Sequence, residues 1–146
     1  DQLCKRLKAE RFLMLVYDPN QQNFETCYQS QPSNRRPLHG LLPPLSEIDR
    51  RLLETSEVAI GIENLDGDLK LVAWRDRLLE LGIKSLLVCN MASGHPLEGV
   101  LVIGHEAPRS WTRLELDLVR VVSQQLGFIL HQWQLQRQME QHQQLQ

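Results

Sequence analysis

The chain has 146 residues, a formal net charge of −2 and a pI near 6.2. This length suits one domain, which buries about two-thirds of its unfolded surface. The Lys and Arg residues are scattered, which argues against nucleic acid or an anionic membrane as a partner. No apolar run reaches the roughly 20 residues that cross a bilayer, and the start lacks a signal-peptide core, so we expect a cytoplasmic protein.

The cysteines are odd in number and show no metal-ligand spacing. Cys4, Cys27 and Cys89 contain no C-x-x-C pair, and no His stands at ligand spacing from any of them. We therefore expect neither a disulfide framework nor a metal site. Cys89 lies in the apolar run "SLLVCNM", which favours a buried core thiol, with a reactive or cluster-binding thiol as the alternative.

The first part of the chain predicts a helix followed by a β-hairpin. Residues 1–10 place Leu3 and Leu7 at helical spacing. Residues 12–17 form an apolar run that predicts a strand, and the turn sequence "DPNQQ" leads into a second strand over residues 23–30. Alternation in this second strand is expected to place three side chains on one face: Phe24, Thr26 and Tyr28.

The middle of the chain alternates between helix and strand. A proline-rich loop precedes a short amphipathic helix that begins near Ser46, with Asp49 three residues later as in a capping box. Residues 57–64 predict a third strand. Residues 69–81 return to helical spacing, and Gly82 offers a position for the end of that helix.

A second hairpin and a long helix complete the pattern. Residues 85–91 and 97–104 predict two buried strands joined by "ASGHP". Pro108 separates the last strand from a helix that begins with the capping box of Thr112 and Glu115, and Trp111 is expected to fasten that start to the domain. Two tight hairpins require antiparallel pairing. We predict an α+β fold with a central antiparallel sheet of about five or six strands, flanking helices and a long C-terminal helix.

The final helix carries two apolar patterns. One stripe is expected to cover the sheet: Leu118, Val122, Leu126, Ile129 and Trp133. Two rows repeat every seven residues: Val121, Phe128, Leu135 and His142, beside Leu118, Gln125, Gln132, Met139 and Gln146. This half-polar pattern favours a weak parallel homodimer that pairs the region of Leu3 and Leu7 with the helix around Phe128, Leu135 and Met139.

The order of elements resembles the GAF domains of signalling proteins. "LLELGIKSLLVCNM", joined by a short turn to "PLEGVLVIGHEAPRSWTRLELDLVRVV", carries the resemblance, which is strongest to cyanobacterial members. It implies a GAF domain over residues 1–133, whose first ten residues end a linker helix, and an outgoing signalling helix over residues 134–146. Because the chain starts without Met and stops within a helical pattern, we expect it to be a piece of a longer protein.

The cyanobacterial members include bilin-binding photoreceptors, in which a Cys on the helix that precedes the "GIKSLL"-like strand holds the chromophore. Here Ala73, Trp74 and Arg75 occupy that place, so no covalent bilin is expected. His105 matches a His that lines the pocket of those proteins. The resemblance places small ligands between the sheet and its covering helices, where the candidate ligand-binding residues are Trp74, Arg75, Met91 and His105.

The sequence fits the enzymatic branch of the family that reduces a sulfoxide less well than it fits a regulatory domain. Reduction of a sulfoxide needs an attacking thiolate and a resolving thiol, but the three cysteines fall on separate elements. No catalytic residues are therefore expected. The resemblance implies a sensory or regulatory domain of a two-component histidine kinase or response regulator, with an output module in the same chain. A structural dimerisation domain without a ligand and a photoreceptor with non-covalent tetrapyrrole are the alternatives.

Overall fold

A computed structural model describes residues 11–92 and 97–144. Two strands come first, β1 (Arg11–Asp18) and β2 (Asn23–Ser30), followed by helix α1 (Glu47–Thr55) and strand β3 (Ile60–Ile62). A 3-10 turn, Leu65–Gly67, precedes helix α2 (Val72–Glu80). Strands β4 (Ser85–Asn90) and β5 (Gly99–His105) lead to the 32-residue helix α3 (Arg113–Gln144). The predicted helix over residues 1–10, with Leu3 and Leu7, lies outside the described residues.

The five strands form one antiparallel sheet in the order β2-β1-β5-β4-β3. Both predicted hairpins are confirmed, and the predicted fold class is correct. β4 is buried along its whole length and β5 is buried except at His105, because helices cover the sheet on both sides. Alternate side chains point to opposite faces. The face of Leu86, Val88 and Val102 lies under α1 and α2, whereas that of Leu87, Cys89 and Leu101 lies under α3.

The prediction that Phe24, Thr26 and Tyr28 share one face of β2 is wrong. The register between β1 and β2 shifts at Met14 and Leu15, where Met14 pairs with Tyr28 but Leu15 pairs with Thr26. The skipped residue is Cys27, and such a bulge reverses the alternation of side chains. Phe24 therefore contacts Trp74 beneath α2, whereas Tyr28 meets Phe12 on the opposite face.

The shorter elements differ from prediction in their ends. The α1 cap is confirmed, since Ser46 Oγ accepts the N–H of Asp49 at 3.2 Å. The Asp49 carboxylate does not complete a capping box, because it accepts the N–H of Leu71 at 3.1 Å instead. Leu71 has a φ of 58°, so α2 begins only at Val72, three residues later than predicted. β3 is limited to three residues.

The joint between β5 and α3 follows the prediction closely. Glu115 N–H donates to Thr112 Oγ1 at 3.1 Å, and Thr112 N–H donates to Glu115 Oε1 at 3.0 Å, which completes the capping box. The Trp111 indole lies against Gly61 of β3 and is only partly buried. The Arg109 guanidinium lies 4.2 Å from the centre of the indole ring. The start of α3 is thus fixed to the edge of the sheet.

The predicted stripe of α3 is confirmed in part, because Leu118 and Leu126 pack against the sheet, but Ile129 is 61% exposed. Val119 and Ser123, which the predicted stripe does not include, are fully buried. The helix is rotated from the predicted position so that the small residues Ser123 and Gly127 lie next to the sheet. The side chain of Trp133 lies outside the described part of the chain.

Candidate functional site

The space between the sheet and α2 is filled by the protein itself. Trp74 is fully buried there, and its Nε1–H donates to the carbonyl oxygen of Pro43 at 2.7 Å. Its ring meets Phe24 edge to face, with centroids 5.1 Å apart, as aromatic pairs prefer. Leu65, Leu71 and Leu78 complete this part of the core. The observed contacts of Trp74 are therefore those of a core side chain.

The other three candidate residues lie at separate places. Arg75 follows Trp74 on α2 and is partly buried, and its Nε and Nη2 atoms have no hydrogen-bond partner among the described residues. Met91 is buried on the opposite face of the sheet, under α3. His105 ends β5, where its Nδ1 accepts the N–H of Ala107 at 3.1 Å. The structure does not bring these four side chains into one cavity.

A broad groove of about 1070 Å³ lies elsewhere, at the end of the sheet that carries the β1–β2 turn. Its volume slightly exceeds the roughly 300–1,000 Å³ of most small-molecule sites. One side is apolar, formed by Tyr17, Phe24, Leu45 and Leu97. The last turns of α3 reach the groove through Gln134, Arg137 and Gln138. The groove therefore joins the sheet, α1 and the outgoing helix.

Charged side chains give the groove a mixed character. Arg50 lies 3.6 Å from Glu54, and Glu54 Oε1 also accepts the backbone N–H of Leu97 at 3.1 Å. Glu25, Glu98 and Arg137 complete the charged lining. The hydroxyl of Thr26, another lining residue, is buried and has no partner among the described residues. Phe24 and Leu97 are almost wholly buried, so the accessible aromatic surface of the groove is that of Tyr17. This arrangement suits a small amphipathic molecule that places apolar atoms on Tyr17 and hydrogen-bonding groups near Arg50.

No single pattern in the sequence indicates this groove. Its residues come from the end of one hairpin, one side of α1 and the last part of α3, which are far apart along the chain. Arg50 and Glu54 stand at helical spacing, but that spacing is also typical of an ordinary surface ion pair. Only the packing of α1 beside the hairpin shows that they line a concave surface.

The two described cysteines, Cys27 and Cys89, lie on separate strands of the sheet. Cys27 lies at the groove, and partial burial raises the pKa of its thiol, which keeps the nucleophilic thiolate scarce at neutral pH. Cys89 is buried under α3. Cys4 lies outside the described residues. Within residues 11–92 and 97–144, no three His, Cys, Asp or Glu side chains lie together as a metal site would need.

A five-stranded antiparallel sheet with helices on both faces and a long C-terminal helix defines an α+β domain. Residues 1–130 match the family model of the GAF domain, and the chain belongs to the GAF domain family. The resemblance noted in the sequence is thereby confirmed. No curated protein matches the chain. Among the described helices, none combines the length and the apolar character that crossing a membrane requires.

Solved structures share this fold at low identity. The phycoerythrobilin-bound GAF domain of a cyanobacterial phytochrome is 20% identical, with a TM-score of 0.74 over 93% of this chain and 83% of that chain. The blue-light-absorbing PixJ GAF domain of Thermosynechococcus elongatus is 14% identical, with a TM-score of 0.74 over 97% and 85%. A domain of a putative two-component sensor histidine kinase from Sinorhizobium meliloti 1021 is 16% identical, with a TM-score of 0.66 over 96% and 91%.

Proposed function

We propose that this GAF domain is a non-catalytic regulatory module of a longer signal-transduction protein, and that α3 passes its changes to an output module. The likeness to a sensor kinase domain supports this role. The observation that carries it is an apolar row on the side of α3 turned away from the sheet. Its members, here named the outer face of α3, are between 46% and 78% exposed: Leu114, Val121, Phe128, Leu135 and Met139.

The outer face has the spacing of a coiled coil. Leu114, Val121, Phe128 and Leu135 recur every seven residues, and Met139 follows one turn after Leu135. At 3.6 residues per turn, this row lies almost opposite the residues buried against the sheet, such as Val119 and Ser123. Apolar side chains exposed along several turns are costly in water, and isolated helices are marginal there. A partner helix would cover them.

We assign this partner as a second copy of the chain. Between Asp117 and Arg137 the only formally charged residue of α3 is Arg120, and it is buried against the sheet. A two-fold pair would therefore bring no like charges together along this part of the helix, and Gln125 and Gln132 would make the contact weak. Parallel pairing would set both outgoing helices side by side. A purely structural dimer, with no ligand in the groove, is the second candidate.

Sedimentation equilibrium tests the dimer. The wild-type chain is expected to associate reversibly at high micromolar concentration, and the Phe128→Glu, Leu135→Glu double variant is expected to stay monomeric because charges would be buried in the contact. Gln134→Glu with Gln138→Glu adds the same charge outside the outer face and should preserve association. A wild type that stays monomeric, or a dimer that survives the first pair of changes, would disprove this interface.

A structural neighbour is a bilin-bound photoreceptor domain, which raises the question of bilin binding here. We expect that this chain does not attach a bilin covalently. Residues 69–81 contain no Cys, and Trp74 with Phe24 fills the core beneath α2. After co-expression with enzymes of bilin synthesis, denaturing electrophoresis should show no zinc-dependent fluorescence at the mass of the chain. A known bilin-binding GAF domain is the positive control, and a fluorescent band would contradict the expectation.

A further inference from the structure

Gly127 brings α3 into unusually close contact with the end of β4. A Cβ atom added to Gly127 would lie 1.9 Å from the carbonyl oxygen of Met91 and 2.8 Å from its carbonyl carbon. Both distances are below the 3.0 Å that real Cβ atoms keep, and the opposing atoms belong to the backbone. No side-chain rotation could relieve the clash. Only glycine fits at this position of the helix.

Two further residues lie on the same side of the helix. Ser123, one turn earlier, is fully buried. Arg120 lies one turn before Ser123, is 8% exposed, and donates from Nη1 to the carbonyl oxygen of Asn90 at 3.3 Å. The same Nη1 lies 3.6 Å from Cys89 Sγ. We call Arg120, Ser123 and Gly127 the β4 contact strip of α3, because two of them meet the backbone at the end of β4.

A neighbouring residue of α3, Leu130, lies against the other end of the connection between β4 and β5. Met91 N–H donates to the Gly99 carbonyl oxygen at 3.0 Å, which closes the hairpin. An added Cβ at Gly99 would lie 3.3 Å from Leu130 Cδ2 of α3. Both ends of the connection are therefore packed against α3. Leu97 and Glu98, the two residues before Gly99, line the groove.

Close packing makes this arrangement a mechanical link. Packed interiors do not deform continuously, so a small displacement tends to move a whole element or to break the contact. A shift of Leu97 and Glu98 would carry Gly99 and Met91 with it. Because Gly127 leaves no free space over the Met91 carbonyl, α3 would have to rotate or move outward.

We propose that the β4 contact strip couples α3 to the two described ends of the β4–β5 connection, Met91 and residues 97–99, so that a change at the groove is passed to the C-terminal part of α3 through Met91 and Gly127. This inference deepens the proposed regulatory function, but the coupling lies within one chain. It is therefore measured separately from dimerisation and from any output module.

Hydrogen exchange with mass spectrometry tests the link from the helix side. In Gly127→Ala we expect about tenfold faster exchange both in residues 85–92 and in the α3 residues after 127, since each tenfold corresponds to about 1.4 kcal/mol of opening free energy. Alanine has a higher helix propensity than glycine, so propensity alone predicts slower exchange in α3 of this variant. Gly67→Ala is the matched control, because its Cβ would meet only Asn64 Nδ2 at 4.0 Å.

The reciprocal test perturbs the groove and measures the helix, as linkage between two sites requires. Glu54→Ala removes the acceptor of the Leu97 N–H and should speed exchange in the α3 residues after 127 as well as near residue 97. Arg120→Met, which keeps the aliphatic stem, is the milder helix-side variant if Gly127→Ala does not fold. All variants are repeated in the Phe128→Glu, Leu135→Glu background, so that loss of the dimer does not affect the result. Faster exchange confined to the mutated element in each case would overturn the proposal.

Discussion

Replacement of Trp74 by alanine is expected to lower the free energy of unfolding by about 3–5 kcal/mol, the usual cost of removing a buried large aromatic side chain. The indole is fully inaccessible to solvent and contacts Phe24. Its removal would also leave the Pro43 carbonyl oxygen without the donor at 2.7 Å. Denaturant unfolding followed by circular dichroism measures the change.

Trp74→Phe separates the two contributions. Phenylalanine keeps much of the apolar volume but cannot donate to the carbonyl oxygen of Pro43, an exposed residue, so we expect a smaller loss of about 0.5–1.5 kcal/mol, the net contribution of one hydrogen bond. Equal stability of wild type and Trp74→Ala would show that the indole does not fill this core. It would also reopen the space beneath α2 as a place for a ligand.

Replacement of Asp49 by alanine is expected to cost about 1.5–3 kcal/mol, the range for hydrogen bonds to charged groups. The carboxylate is buried and accepts the N–H of Leu71, the residue before α2. Leu71 has a φ of 58°, and no cap side chain of its own supports the start of that helix. Asp49 on α1 therefore stabilises the beginning of α2.

Asp49→Asn is the matched control for that experiment. Asparagine keeps an oxygen at almost the same position and should retain most of the stability in denaturant unfolding. If asparagine and alanine were equally damaging, the negative charge rather than the hydrogen-bond acceptor would be responsible. If neither change affected stability, the α1–α2 contact would have no energetic role.

Local signals in the sequence predicted the elements well. The capping box of Thr112 and Glu115 predicted the start of α3, and Gly82, with a φ of 87°, follows the end of α2 as expected. The apolar runs of β4 and β5 predicted strands that are covered on both faces. Caps, turns and periodicity depend on residues close in the chain, so the sequence displays them directly.

Features that depend on packing could not be predicted in the same way. The bulge at Cys27 reversed the face of Tyr28, although the alternation of the strand looked regular. Ser123 and Gly127 of α3 lie beside the sheet, whereas Ile129, a member of the predicted stripe, is exposed. Both effects require knowledge of the neighbouring element. For the same reason the sequence does not predict the groove. Trp74 lies on α2 as predicted, but its side chain is part of the core.

The position of β1 in the sheet has a consequence for synthesis on the ribosome. β1 is among the first described segments to be made, and its partner β2 follows across a short turn, so this pairing needs only local chain. The other edge of β1 pairs with β5, where Val16 is the partner of Gly99. Gly99 is translated only after most of the domain has been made. Non-local pairing of this kind is slow and leaves an exposed edge in the meantime. The nascent chain is therefore expected to hold an aggregation-prone hairpin until β5 emerges, and to complete its sheet only then.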